Sequence, residues 1–368
     1  LEPMKIVFLT YNISLHFHRP EDWFYHLRHS TGVYDALCKK HTVISIEQIN
    51  HTGRIERNGV DYHFLNYRKK KLYFPARLHR YIKALSPDVI VVHGMHSPLQ
   101  VLQLRARVGP RARIILQNHA DQPGRGKRKF LQKLADRSVD AYLFVSKEQG
   151  SQWVSRGIIA SLEKIREVME ASSLFLPEDR SLARIRTATA GDPLFLWVGR
   201  LDRNKDPLTV LEAFVAYAKM HPAARLYMIF HTEELLPEIR EYLAAAGAGD
   251  TVVLVGKIEH DQLQDWYNAA DFILSGSHYE GSGIAVCEAM SCGCIPIVTG
   301  ISSFRKMTGN GSCGILYPPG NKDALLAALL HTGTLDKESE RQKVQDQFRS
   351  QLSFQAIAEG IDAIVSSL

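Results

Sequence analysis

Cysteine is scarce: the 368-residue chain holds five, Cys38, Cys287, Cys292, Cys294 and Cys313, with no Cys-x-x-Cys pair. That excludes a disulfide framework. Cys292-Gly-Cys294 offers two soft ligands with no histidine close behind, so the thiols read as small buried apolar groups rather than a metal site. No apolar run approaches the roughly 20 residues that span a bilayer. Several chemistries lack their motif. No Gly-x-Gly-x-x-Gly follows the first strand, which counts against a dinucleotide cofactor, and no Gly-x-x-x-x-Gly-Lys-Ser/Thr or Gly-x-Ser-x-Gly occurs. Asp-x-Asp is absent too, which weakens any mechanism that holds a diphosphate through a metal. The N-terminus shows no apolar leader or cleavage site, so the expected location is the cytoplasm. Leu1-Glu2-Pro3 ahead of Met4 reads as a cloning remnant and is set aside.

What is present is an ordinary globular composition with an uneven charge. Apolar residues make up 45%, ample for packed cores, and the length suits two domains better than one. The net charge of +6 conceals a split. Residues 1–170 carry 28 Lys and Arg against 15 Asp and Glu, whereas residues 171–368 carry 17 against 24. Either the first half faces an anionic partner or it is simply a solvated basic surface.

Short apolar runs alternate with helix-period segments from end to end. Lys5–Leu9, Thr42–Ile46, Asp88–His93, Arg113–Gln117 and Ala141–Val145 read as buried parallel strands. A second series comprises Leu194–Gly199, Arg225–Phe230, Thr251–Val255, Asp271–Leu274 and Ile295–Thr299. Between them, Asp206-Pro207 supplies an N-cap and first-turn proline for a helix. The pattern predicts an α/β chain of two doubly wound Rossmann-like domains. The expected division is 1–170, a linker over 171–192, 193–346, and a terminal helical stretch 347–368 that packs back toward the first domain.

Open α/β sheets bind ligands beyond the carboxyl ends of their strands. At one such end lies Gly199-Arg200-Leu-Asp-Arg-Asn-Lys205, where Arg200 and Lys205 offer a guanidinium fork and a mobile ammonium suited to a diphosphate. At another lies Glu280-Gly-Ser-Gly-Ile-Ala-Val-Cys-Glu288, opening a helix. The turn Gly281-Ser282-Gly283 lets backbone amides approach a phosphate at the helix N-terminus, and the Glu288 carboxylate suits vicinal hydroxyls. Phosphate on cations and amides with hydroxyls on carboxylates describes a sugar nucleotide. In the first domain, Gly32 is expected to open a helix, and His93 and His119 to sit at neighbouring strand ends. His16, His18, His26 and His29 crowd the loop after the first strand, better read as a substrate-shaping loop than a metal site.

These motifs resemble the retaining glycosyltransferases of GT family 4, which have the GT-B fold. The carriers are Glu280…Glu288-Ala-Met-Ser-Cys-Gly293-Cys-Ile-Pro296, Val198-Gly-Arg-Leu201…Lys205, Val255-Gly-Lys-Ile258, Trp266-Tyr-Asn-Ala-Ala-Asp271 and Gly314-Ile-Leu-Tyr-Pro-Pro-Gly320. The resemblance is dense over about 193–330 and thinner before it. It departs at the domain junction, Met169-Glu-Ala-Ser-Ser-Leu174, and at Thr299-Gly-Ile-Ser-Ser303.

The resemblance implies two domains facing across a cleft and metal-independent transfer of a sugar from a nucleoside-diphosphate sugar to a hydroxyl, with retention. His119, Arg200, Lys205 and Glu280 would be the catalytic set. Gly32, Lys257, Ile258, Ser282, Gly283, Ile284 and Glu288 would bind the donor. No cofactor, metal or nucleic-acid partner is expected. The acceptor would be a glycan or lipid-linked glycan of the cell envelope. Tyr67–Phe74 and Arg125–Leu134 mix cations with apolar residues, which suggests peripheral contact with an anionic membrane. A sugar-nucleotide epimerase and a non-catalytic sugar-nucleotide binder remain the alternatives.

Overall fold

In the computed structural model, which describes residues 2–67 and 73–368, fourteen strands form two sheets among the described residues. The first unit comprises residues 1–172 with 354–368, the second residues 173–353.

The eight strands of unit 1 are β1 (Lys5–Thr10), β2 (Thr42–Gln48), β3 (Gly53–Arg57), β4 (Val60–Leu65), β5 (Val89–His93), β6 (Arg113–Gln117), β7 (Ala141–Phe144) and β8 (Ile165–Glu167). Their order is β3-β4-β2-β1-β5-β6-β7-β8, with β3 antiparallel to β4 and every other pairing parallel. Interior strands read as unbroken apolar runs because both faces are covered; Ile90, Val91 and Val92 are 0% exposed. Chain order reverses between β1 and β5, so the ends of those two strands flank a crevice suited to ligands.

Unit 2 holds β9 (Leu194–Gly199), β10 (Arg225–Phe230), β11 (Val252–Gly256), β12 (Phe272–Ser275), β13 (Ile295–Thr299) and β14 (Ile315–Tyr317) in the all-parallel order β11-β10-β9-β12-β13-β14. Its switch point lies between β9 and β12. The helix Pro207–Met220 is capped by the Asp206 carboxylate, which accepts from the Thr209 amide, and it buries Val210, Leu211 and Phe214.

Four strands outside the sequence reading complete the sheets: β3, β4, β8 and β14. Residues 171–192, linker-like in composition, carry the helix Arg180–Thr187. Its Arg180 and Arg184 both pair with the buried carboxylate of Asp271, which also accepts from the Leu194 amide at 2.8 Å. The terminal stretch is not one helix. Lys337–Gln347 continues into a π-helical turn, Phe348–Leu352, and Ser353 breaks it before Phe354–Ser366.

Gly32 does not open a helix. It lies inside Arg28–Leu37, and a Cβ there would stand 2.7 Å from the Phe354 ring. Its lack of a side chain lets the terminal helix lie against this one, whatever else it does.

Candidate functional site

In unit 2 the candidate residues gather at the carboxyl ends of β9, β12 and β11. The loop after β9 is set by Asp202, whose carboxylate accepts from the Lys205 amide at 3.0 Å and pairs with Arg200 at 3.2 Å. This loop is zipped to the one after β12. The His278 amide donates to the Asn204 carbonyl at 2.8 Å, and the Asn204 side chain donates to the Tyr279 carbonyl at 3.0 Å. Gly276 makes the approach possible, since a Cβ there would meet the Asp206 carbonyl oxygen at 2.9 Å. Across the switch point the Lys205 ammonium lies 2.5 Å from the Glu280 carboxylate, and both side chains are largely shielded.

Gly283, at φ 58°, caps the helix Ile284–Ser291 in the left-handed region that favours glycine, and a Cβ there would strike the Phe304 ring. Ser282 is buried, and Ile284 begins the helix. Glu288 is 4% exposed yet well partnered: the Tyr267 hydroxyl donates to it at 3.0 Å and His260 Nε2 lies 2.6 Å from it. Phe175 stacks on the His260 ring, with centroids 4.9 Å apart. Beyond β11, Lys257 is exposed and pairs with Glu259 at 3.2 Å, while Ile258 packs on the core cluster that includes Tyr267.

The structure thus brings Lys205 and Glu280 together and joins Glu288 to the segment after β11 through His260. Lys257 stands apart in its own surface pair. Sequence reasoning missed His260, Tyr267 and Phe175. Tyr267 lay within a quoted motif, and a buried carboxylate at Glu288 requires such donors.

Unit 1 holds a second cluster, at and beyond the ends of β5, β6 and β8 and on the helix Arg28–Leu37. His119 Nδ1 lies 2.5 Å from Glu170, His119 Nε2 lies 2.9 Å from His93 Nδ1, and His93 Nε2 lies 2.8 Å from the Tyr34 hydroxyl. Burial, with the neighbouring His119 charge, lowers the His93 pKa to about 3, so this imidazole is neutral. Burial pushes His119 down, but the Glu170 hydrogen bond and charge outweigh it and the net shift is upward. In its protonated form His119 would donate to both neighbours, and His93 would then donate from Nε2 to Tyr34. Glu170, within the atypical junction segment, was not anticipated.

Of the four crowded histidines, His26 and His29 line a cavity that His93, His119 and Glu170 also line, and His18 meets Asn50 at 2.9 Å. Cys287, Cys292, Cys294 and Cys313 are buried, and burial pushes the Cys292 and Cys313 thiols up to about 12. In the basic segment Tyr67–Phe74, residues 68–72 lie outside the described residues. No helix among the described residues is long and apolar enough to cross a membrane.

Comparison with known proteins places this geometry. Residues 179–348 match the model described as glycosyl transferases group 1, and residues 37–166 match glycosyltransferase family 4. A D-inositol 3-phosphate glycosyltransferase of Xylanimonas cellulosilytica is 27% identical over 241 residues, covering 62% of this chain and 54% of that protein. A GDP-mannose:cellobiosyl-diphosphopolyprenol alpha-mannosyltransferase of Xanthomonas oryzae pv. oryzae is 32% identical over 142 residues, 38% of this chain and 37% of that one. The chain therefore spans about half, or less, of the length of these curated relatives.

Among solved structures, sucrose-phosphate synthase from Thermosynechococcus elongatus superposes with a TM-score of 0.69 at 20% identity, covering 99% of this chain and 98% of that one. Anabaena HepE in complex with UDP gives 0.73 at 15%, covering 99% and 100%. At such identities the likeness speaks for the fold alone, two doubly wound units of the GT-B class. With one family model on each unit, the chain belongs to the group 1, family 4 glycosyltransferases.

Proposed function

We propose that this protein transfers a sugar from a nucleoside-diphosphate sugar to a hydroxyl acceptor, with retention at the anomeric carbon and without a metal. The observation that carries the reading is the Lys205–Glu280 pair at the switch point of unit 2, beside the left-handed Gly283 cap. An ammonium there can take the charge of a departing diphosphate, Arg200 can add a fork of donors, and the amides at 282–284 can meet a phosphate. Glu280 would hold sugar hydroxyls, and Glu288, oriented by Tyr267 and His260, the ribose pair. Lys257 and Ile258 would flank the base. In unit 1, His119 acts with Glu170, and Gly32 acts through the helix it allows to pack.

Support also comes from the relatives. They include a GDP-mannose:cellobiosyl-diphosphopolyprenol alpha-mannosyltransferase, and the fold neighbour HepE is in complex with UDP. An acceptor in envelope glycan synthesis is the reading supported by two relatives, the mannosyltransferase above and a lipopolysaccharide core biosynthesis mannosyltransferase of Rhizobium meliloti.

Thermal-shift screening against UDP, GDP, ADP and their sugars, with and without chelator, tests the reading. A stabilising nucleotide whose sugar conjugate is slowly hydrolysed supports a transferase. Isomerised sugar would make the protein an epimerase instead, and binding without turnover a sensor.

A further inference from the structure

Unit 1 contains a cavity of about 270 Å³ at the ends of β1, β2, β5 and β6, and its most unusual wall residue is Gln48. Gln48 is 1% exposed, yet neither its side-chain oxygen nor its nitrogen hydrogen-bonds to any group among the described residues. An amide buried without partners is costly to the fold, whereas one that meets a ligand's hydroxyls is both donor and acceptor. Resting on the function proposed above, we propose that this cavity holds the acceptor as a single neutral hydroxylated ring, read by the Gln48 amide, and rejects a phosphorylated one.

Charge argues for a neutral occupant. Among the described residues lining the cavity there is no lysine or arginine. Its acids are Glu47 and Glu170, and Glu170 is already paired with His119, whose pKa is raised. His93 is neutral and engaged with Tyr34. Glu47, buried and bonded by the Ser45 hydroxyl at 2.7 Å, has its pKa raised to about 8. A phosphate entering here would meet a histidine already paired with Glu170, a His26 held below the usual imidazole range by burial, and a carboxyl that ionises as pH rises, with no lysine or arginine among the described lining residues.

Size and wall chemistry agree. Ligand pockets for drug-sized molecules run from roughly 300 Å³ upward, so this volume suits one ring. Phe8, Phe17 and Trp23 give apolar walls for the ring's C–H faces, while Asn12, Gln48 and Gln117 bring amides to its edges.

The test is saturation-transfer NMR on the full chain. One arm uses methyl α-D-glucoside, methyl α-D-mannoside and myo-inositol. A second uses glucose 6-phosphate, mannose 6-phosphate and myo-inositol 1-phosphate. A third uses maltose and cellobiose, to separate a free ring from one that ends a glycan. Each is run with and without UDP or GDP. Expected is transfer to at least one neutral ring, at least tenfold weaker for its phosphate, and lost in Gln48→Leu. That variant should also melt roughly 2–4 °C higher, because it removes unpaired buried polar atoms.

Equal or stronger transfer to the phosphates overturns the proposal, as does the absence of transfer to every neutral ring in a chain that binds nucleotide. A lower melting temperature with ring binding retained makes Gln48 structural and also overturns it. Gln48→Met repeats the reading should the leucine variant fail to fold. Failure of all nucleotides to bind would instead strike the transferase reading itself.

Discussion

His119 Nε2 lies 2.9 Å from His93 Nδ1, and the two imidazoles are pushed in opposite directions, His93 down to about 3 and His119 upward. The difference is made by Glu170, which reaches only His119. A histidine whose folded pKa is raised stabilises the fold below its unfolded value near 6.5, and that contribution is lost as pH rises through the folded value. The depressed His93 behaves oppositely: its contribution is present above about 6.5 and lost as pH falls toward 3. In Glu170→Gln the holding charge is gone and burial dominates, so the His119 titration seen by NMR should drop below 6.5. A titration unchanged from wild type would refute the ordered chain.

Lys205→Met keeps the stem and removes the charge. If the ammonium carries the leaving diphosphate, donor turnover should fall by roughly 10²–10³, with a smaller loss in Glu280→Gln. Because the two groups are in contact, the double variant should lose less than the two single losses combined. Donor hydrolysis rates for the three variants check this, and strict additivity would mean the contact is idle in the reaction.

Glu47 offers a stability test by pH alone. Its folded pKa, about 8 against 4.5, means the folded state keeps a proton that the unfolded chain releases. Stability contributed by Glu47 therefore falls as pH rises from about 4.5 to about 8. Glu47→Gln escapes this. Urea midpoints compared at pH 5 and pH 8.5 should show the variant gaining on wild type by a few kcal/mol.

Asp271 anchors Arg180 and Arg184 from a position 1% exposed. Asp271→Ala takes the shared buried carboxylate from both guanidinium groups, leaving Arg180 its Glu338 pair and Arg184 the Ala269 carbonyl, and frees the Leu194 amide at the start of β9, so unit 2 should lose about 3–5 kcal/mol. Native-state hydrogen exchange should show that loss in residues 180–187 and in β9. Protection unchanged in the helix would mean the clamp is not what holds it.

The helix Gly126–Asp136 displays Lys127, Arg128, Lys129 and Lys133 around an outward Phe130, 68% exposed, and Leu134, 37% exposed. Near an anionic leaflet each cation is worth about 1 kcal/mol. Flotation with vesicles containing phosphatidylglycerol should retain the chain at low salt and lose it in Phe130→Ser combined with Lys129→Glu. Equal recovery on neutral vesicles would end the membrane reading.

The interior strands were legible because parallel strands buried on both faces must be apolar throughout, as in Ile90–Val92 and Leu194–Trp197. β3 was hidden for the converse reason. It is an edge strand whose Arg54, Glu56 and Arg57 face solvent, and its hairpin is signalled only by Asn58-Gly59, both at positive φ. β8 and β14 are three residues each, too short for a period to register. In the site, Arg200, Lys205, Glu280 and Glu288 could be read because their spacing is local to strand ends. Glu170 and Gln48 could not, since each matters through what packs around it in three dimensions. Gly32 misled for the same reason: it is small for the sake of Phe354, more than 300 residues away.

That last contact bears on how the chain is made. The first unit is discontinuous, and the strip laid along Arg28–Leu37 is synthesised after residues 173–353. Residues 173–353 can settle while still tethered to the ribosome, but the earlier sheet must wait with one flank bare until Phe354–Ser366 emerges. The half translated first is therefore the half completed second, and chaperones would meet it as the longer-lived client.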